Sequence, residues 1–375
     1  MRQLFQCKIR HQKMATLMKK TTFKTELNAD CIEWCPINNF HDLFVCGTYQ
    51  LSENEENVMT SEKKRVGYLY LFKFSNKFNG FLKVLQKLSM PGILDCKWCH
   101  VKLQNNVFLA LVNAVGELRI LLLDGNGDET LLQEVHKVKL TSNEDTLLLS
   151  LDWSTGITDS VVKVVVSSSS GHVTMVSFSD GSFYKHDSWK LHDFEAWIVA
   201  FNYWNVNLFF SGGDDCKLKC FDTRVGQVVS TNTSHEAGVT SLHMNFKKEN
   251  SLISGSYDEN IRFWDVRNMK KHRNQISTGG GVWRLKWEPK LCLKISASCM
   301  YSGSVVVDAV DEKIIATYKE HASINYGIDW SFISEETIFS FFNIENGDEV
   351  CNYNIISVCS FYDNLISLAL LKSPK

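Results

Sequence analysis

A fixed spacing of 43 residues constrains this chain more than any other feature. His192, His235, Thr278 and His321 follow one another at that interval, as do Asp215, Asp258 and Tyr301, and Phe221, Trp264 and Val307. The unit from His235 to Asp265 reads as three short strands of alternating polarity, punctuated by Gly, Asn and Asp and closing on Trp-Asp. One such unit cannot bury its own apolar faces, so it requires copies packed beside it.

A period in the low forties, with four strands expected per unit, is the signature of a β-propeller blade. The first-strand pattern also recurs upstream of the strict repeats. Cys31-Ile-Glu-Trp34, Asp95-Cys-Lys-Trp98, Ser150-Leu-Asp-Trp153, Arg284-Leu-Lys-Trp287 and Gly327-Ile-Asp-Trp330 are variants of one strand, and Phe201 and Met244 hold the same register in the remaining two units. The count is therefore seven blades in an all-β fold. The early blades are longer and carry extra loops, including the acidic stretch Glu53–Arg65. In the last blade, an irregular insertion at 334–353 separates Gly327–Ser331 from strands near Ile356–Ser360 and Leu365–Leu371, and no outer strand follows. Phe23–Leu27 alternates correctly and has no other partner, so it is expected to close the ring as an N-terminal strand, leaving no open edge. Residues 1–20 carry several Lys and Arg and no acid, which predicts a disordered basic leader, with Met14 as an alternative start. Residues 21–375 then form a single propeller.

The repeat resembles the WD-repeat family, in which a His, a Ser or Thr, an Asp and a Trp join in one hydrogen-bonded set. His235, Ser254, Asp258 and Trp264 match all four roles; His192, Ser211 and Asp215 match three, with Phe221 in place of Trp. His321 is expected to face Cys359 where a Ser would stand.

With net charge −2 and a pI near 6.6, the chain lacks the basic excess of a protein held on nucleic acid by phosphate contacts. No apolar run reaches membrane-spanning length, and no secretory leader is visible. The twelve cysteines accordingly read as reduced core residues of a cytoplasmic protein. Cys96-Lys-Trp-Cys-His100 has the literal pattern of haem attachment, but Cys96 and Trp98 fall where Cys31 and Trp34 fall in the first blade, so the strand reading is preferred and no metal is expected. Familiar catalytic signatures are missing, among them the Gly-x-Ser-x-Gly elbow, His-Glu-x-x-His, and Gly-x-Gly-x-x-Gly after a strand.

Several runs exceed the generic blade pattern. His192-Asp-Phe-Glu-Ala-Trp197, Phe210-Ser-Gly-Gly-Asp-Asp-Cys-Lys-Leu-Lys219, Gly255-Ser-Tyr-Asp-Glu259 with Trp264-Asp-Val-Arg-Asn-Met269, Gly279-Gly-Gly-Val-Trp-Arg-Leu-Lys-Trp287, Tyr326-Gly-Ile-Asp-Trp-Ser331 and Cys359-Ser-Phe-Tyr-Asp363 together resemble the diphthine methylesterase family, over about half the chain. The resemblance implies a hydrolase of diphthamide biosynthesis. Its substrate is the methyl ester of methylated diphthine, a modified histidine on translation elongation factor 2, and its products are diphthine and methanol. It implies no cofactor, and a cytoplasmic monomer is expected. The substrate carries a trimethylammonium group, which favours aromatic faces backed by carboxylates. Trp197, Trp283, Tyr301, Tyr326 and Tyr362, with Glu195 and Asp363, are therefore expected around one mouth of the channel. For the chemistry, His192, Asp193 and His321 are candidate bases, Cys299 a candidate nucleophile, and Arg284 with the Gly280 and Gly281 amides candidate oxyanion donors. A non-catalytic scaffold that docks elongation factor 2 or another protein is the alternative.

Overall fold

The structure, a computed structural model, describes residues 15–52, 64–157, 162–344 and 351–374. Among them are seven antiparallel sheets, one per blade. The inner strands are Ala29–Trp34, Ile93–Trp98, Leu148–Trp153, Ile198–Phe201, Val239–Met244, Arg284–Trp287 and Asn325–Trp330. Each ends on the residue that the sequence pattern marks.

Those terminal tryptophans explain the pattern. A buried indole N–H needs an acceptor; that of Trp34 reaches Ser357 Oγ on the second strand of blade seven (3.0 Å), and the other four reach the inner strand of the preceding blade. Trp98 donates to Glu33 O (3.2 Å), Trp153 to Lys97 O (2.9 Å), Trp287 to His243 O (3.1 Å) and Trp330 to Lys286 O (3.0 Å). An inner strand also presents a row of N–H groups toward the channel with no further strand to pair them. Side chains of the preceding blade accept several: Asp95 from Leu151 N, Asp152 from Phe201 N, Ser241 from Leu285 N and Asp329 from Trp34 N, all at 2.7–3.1 Å.

The ring closes with strand Thr16–Lys24 paired antiparallel to Leu365–Pro374, Thr16 opposite Lys372 and Lys24 opposite Leu365. The closing strand thus begins well before the expected Phe23–Leu27, and residues 16–20 belong to it and not to a leader. The first fourteen residues, the start at Met14 and most of Glu53–Arg65 lie outside the described residues. The 334–353 insertion is partly regular: Ser334 caps helix Glu335–Phe342 by accepting Thr337 N, and the next strand already starts at Cys351. The helix packs Phe341 and Phe342 against Phe74 and Phe81 of blade one, on the outside of the ring.

Candidate functional site

The expected His–Ser–Asp–Trp set forms in blade five. His235 Nδ1 lies 2.8 Å from Asp258 Oδ2 and its Nε2 2.7 Å from Ser254 Oγ, which also accepts Trp264 Nε1 at 2.7 Å. Blade four repeats it, with His192 between Asp215 (2.8 Å) and Ser211 (2.9 Å). Both imidazoles are buried with both ring nitrogens engaged, so His192 serves as a tie between strands and is withdrawn from the role of base. In blade seven His321 Nε2 meets Ser367 Oγ at 2.6 Å, and Cys359 is not its partner. Asp363 accepts the Ala322 N–H at 3.3 Å, just as Asp258 accepts the Glu236 N–H. It therefore fills the turn position of the blade.

Two further expectations fail on chemistry. Cys299 is fully buried, and burial pushes its thiol up to about 12, far from a nucleophilic thiolate. Asp193 is exposed and bonded to Lys217 Nζ at 3.0 Å, whose charge holds its carboxyl below the usual range. The cysteines of Cys96-Lys-Trp-Cys-His100 diverge as strand neighbours must. Cys96 Sγ lies 3.4 Å from Cys31 Sγ, while Cys99 and His100 contact Thr155.

The structure brings several of the expected rings together. Trp197 and Trp283 have ring centroids 5.6 Å apart, and Trp283 stacks on Tyr326 at 4.7 Å. Tyr326 meets Phe361 at 5.0 Å, and Phe361 meets Tyr362 at 5.0 Å. Tyr257 lies beside both tryptophans, at 6.3 and 6.0 Å. These rings occupy the starts of the inner strands and the turns after the second strands. Strand pairing such as Val239 opposite Ser256 brings those two classes to the same end of the ring. Tyr301, 80 % exposed, stands at this rim close enough to perturb Tyr326. Asp214 accepts the Trp197 indole N–H at 2.9 Å, and burial together with the Asp214 and Glu195 carboxylates pushes the Tyr257 phenol up. Gly281 is packed against Tyr257 and Met300, where a Cβ would meet Met300 Sδ at 2.9 Å; a Cβ on Gly280 would meet Cys299 O at 2.5 Å. A side chain at Gly280 would therefore collide with backbone, whereas one at Gly281 would require the Met300 side chain to shift.

Below this arc, Arg284 of blade six reaches across to Asp95 of blade two (3.3 Å), forming a strut through the channel. Beyond the strut, a cavity of about 500 Å³ opens toward the opposite face, lined by Trp34, Trp98, His243, Trp287 and Trp330. It lies away from the aromatic arc, and its ionic groups serve the fold. Lys286 bonds Glu33 and stands 3.8 Å from Asp329, so one ammonium serves two acids. Burial raises both carboxyls, and the two carboxylates hold Lys286 protonated.

Sequence reasoning missed Tyr257, Phe361, Asp214 and Asp30. The signal for Tyr257 is its place in the turn after a second strand, the class that contains Tyr301. The signal for Asp30 is its offset: it lies four residues before Trp34, as Trp197 lies before Phe201, Trp283 before Trp287 and Tyr326 before Trp330. Asp30 therefore belongs to the aromatic tier. It is 5 % exposed, and burial, opposed by Arg284 and reinforced by Asp95, pushes its carboxyl up to about 8.

Seven antiparallel blades, two of them tied by a His–Ser–Asp set, with an aromatic rim at one channel mouth, define a WD-repeat propeller protein. Consistently, residues 226–265 match the family described as WD domain, G-beta repeat. The mitotic checkpoint complex crystal structure contains a chain that superposes with a TM-score of 0.64 over 93 % of both chains at 15 % identity, a likeness of fold alone. Among curated proteins, the chain is 38 % identical to mouse diphthine methyltransferase over 85 % of this chain and 70 % of that protein. It is 37 % identical to the human protein of the same name, over 83 % and 74 %, and 32 % identical to the Dictyostelium discoideum homolog, over 95 % and 99 %. The chain belongs to the diphthine methyltransferase family. Among the described residues no helix is long and apolar enough to cross a membrane.

Proposed function

We propose that this chain hydrolyses the methyl ester of methylated diphthine on translation elongation factor 2, giving diphthine and methanol, as a cytoplasmic monomer without a cofactor. The observation that supports the reading most is the continuous arc Trp197–Trp283–Tyr326–Phe361, flanked by Tyr257 and backed by Asp214 and Glu195. A trimethylammonium group cannot donate a conventional hydrogen bond; it is held by ring faces and nearby negative charge, at roughly 0.5–2 kcal/mol per ring contact. The names of the relatives supply the substrate class, since diphthine carries that cation. Seating the cation in the arc directs the rest of the modified side chain toward the channel. Arg284 there carries a fixed positive charge suited to the oxyanion of a tetrahedral intermediate, and such donors are worth ~10²–10³ in rate. The Gly280 and Gly281 amides border the same rim as further donors.

The relatives are named for methyl transfer, so the assay must separate the two directions. Purified protein is incubated with elongation factor 2 bearing methylated diphthine, and methanol and the mass of the modified peptide are followed. Methanol release with loss of one methylene supports hydrolysis. Gain of a methyl group on diphthine when a sulfonium methyl donor is supplied, without methanol release, would replace it with transfer. Tight binding with neither change would leave the rim as a docking platform.

A further inference from the structure

Among the described residues, every acid lining the channel is tied down except one. Asp95, Asp152 and Asp329 each accept a backbone N–H of the next blade, Tyr203 donates a further bond to Asp152 at 3.2 Å, and Glu33 bonds Lys286. Asp30 makes no side-chain hydrogen bond among the described residues, although only 5 % of it is exposed. Burying a carboxyl without a partner is destabilising, so its place here is not explained by the fold. The backbone shows how it came to face the mouth. Ala29 pairs with Thr48 and Cys31 with Gly47, so Asp30 is the extra residue of a β-bulge, a device that re-aims a side chain. Strict alternation would send it the way of Ile32 and Trp34, into the blade; instead its charge acts on Arg284 and Tyr326. Blade seven's inner strand presses close at this point, since a Cβ on Gly327 would stand 3.1 Å from Cys31 Cα.

On the esterase reading above, on which this inference rests, we propose that Asp30 is the general base, held between the aromatic arc and Arg284 where the ester must sit. The ionised carboxylate takes a proton from water as its oxygen bonds to the ester carbonyl carbon, and the carbonyl electron pair moves onto oxygen facing Arg284. Collapse of that intermediate breaks the bond to methoxide, which leaves as methanol with the proton returned by Asp30. The new carboxylic acid of diphthine loses its proton to solvent, so the net reaction is ester plus water to carboxylate, proton and methanol. The charged or titratable groups facing Asp30 are Arg284 from blade six, Asp95 from blade two, Tyr326 from blade seven, and Cys31 and Cys46 from its own blade.

The test uses the full chain and elongation factor 2 bearing methylated diphthine, with methanol release followed from pH 6 to 9. For the unaltered chain, kcat/KM is expected to rise with pH and level off near about 8. D30N should lose at least ~10²-fold in kcat and lose the rise, while D30E keeps a rise with reduced rate. Binding of the diphthine product should stay within about threefold. Folding is checked by melting: because the carboxyl is raised in the folded state, ionisation destabilises it as pH climbs toward 8, so D30N should melt above the unaltered chain by a margin that widens from pH 5 to pH 9. D30N retaining more than a tenth of the rate, or the same pH rise, overturns the role of Asp30 and leaves the esterase reading intact. An unaltered chain that releases no methanol at any pH overturns both.

Discussion

Replacing the central serine of each histidine tie by alanine should cost unequal amounts, and the inequality follows from a single atom. Asp258 accepts at His235 Nδ1, so that nitrogen carries the proton and Nε2 is an acceptor; Ser254 therefore donates to Nε2 and accepts the Trp264 indole N–H. Ser254→Ala strands two buried polar atoms. In blade four Phe221 stands in place of the tryptophan, so Ser211→Ala strands only His192 Nε2. Both serines are fully buried and lose the same atom, which cancels the transfer and cavity contributions. At ~1–3 kcal/mol for each buried group left without a partner, Ser254→Ala should cost about 2–6 and Ser211→Ala about 1–3 kcal/mol. With an m-value of ~3 kcal/mol/M, the urea midpoints of the two variants should differ by ~0.3–1 M at unchanged slope. Adding Trp264→Phe to each should shrink the gap, because the stranded indole disappears. Equal midpoints, or a larger loss for Ser211→Ala, would refute this account of the tie.

Trp283 touches three neighbours of the arc, so Trp283→Ala should raise KM for the ester-bearing factor by ~2–30-fold with little change in kcat, while Trp283→Phe recovers most of it. Steady-state kinetics on both variants would check this. Burial alone would raise the Asp215 carboxyl, but bonding to His192 overrides it and lowers the group to about 2. A depressed acid stabilises the fold above its unfolded value near ~4 and ceases to as pH falls toward 2, so Asp215→Asn should flatten that part of the acid-unfolding curve by circular dichroism. Cys299, buried with its thiol near 12, should resist iodoacetamide at pH 8 in the native chain, and Cys299→Ser should keep activity within about threefold.

What the sequence discloses divides along physical lines. The inner strands are legible to the residue because each ends on a large apolar wedge whose indole, where present, must reach the neighbouring blade, and that demand leaves the same letter at the same place. The closing strand Thr16–Lys24 is not, because its side chains are all exposed or half-buried and lysine-rich; Phe23, packed on Tyr70 and Phe72, and the half-buried Leu17 carry what apolar signal there is. The aromatic rim was readable as a class of positions, but its continuity depends on Tyr257 and Phe361, which only proximity identifies. His321 found Ser367 on the adjacent strand, a pairing set by the register of Cys359 opposite Ile366 and invisible in the repeat. Asp30 was hidden by its residue type: it holds the same offset as Trp197, Trp283 and Tyr326, but an acid at that place carries no aromatic signal.

The pairing of Thr16–Lys24 with Leu365–Pro374 also sets a timetable. A ribosome makes the first of these segments roughly 350 residues before the second, an interval of ~20–70 s at ordinary elongation rates. For most of that interval blade seven does not exist, and the lysine-rich segment waits without its mate while six sheets stack in order. Its sparse apolar content then becomes an advantage during biogenesis: a greasier latch would stick to whatever emerged beside it, whereas a mostly hydrated one can wait in water until its own partner arrives.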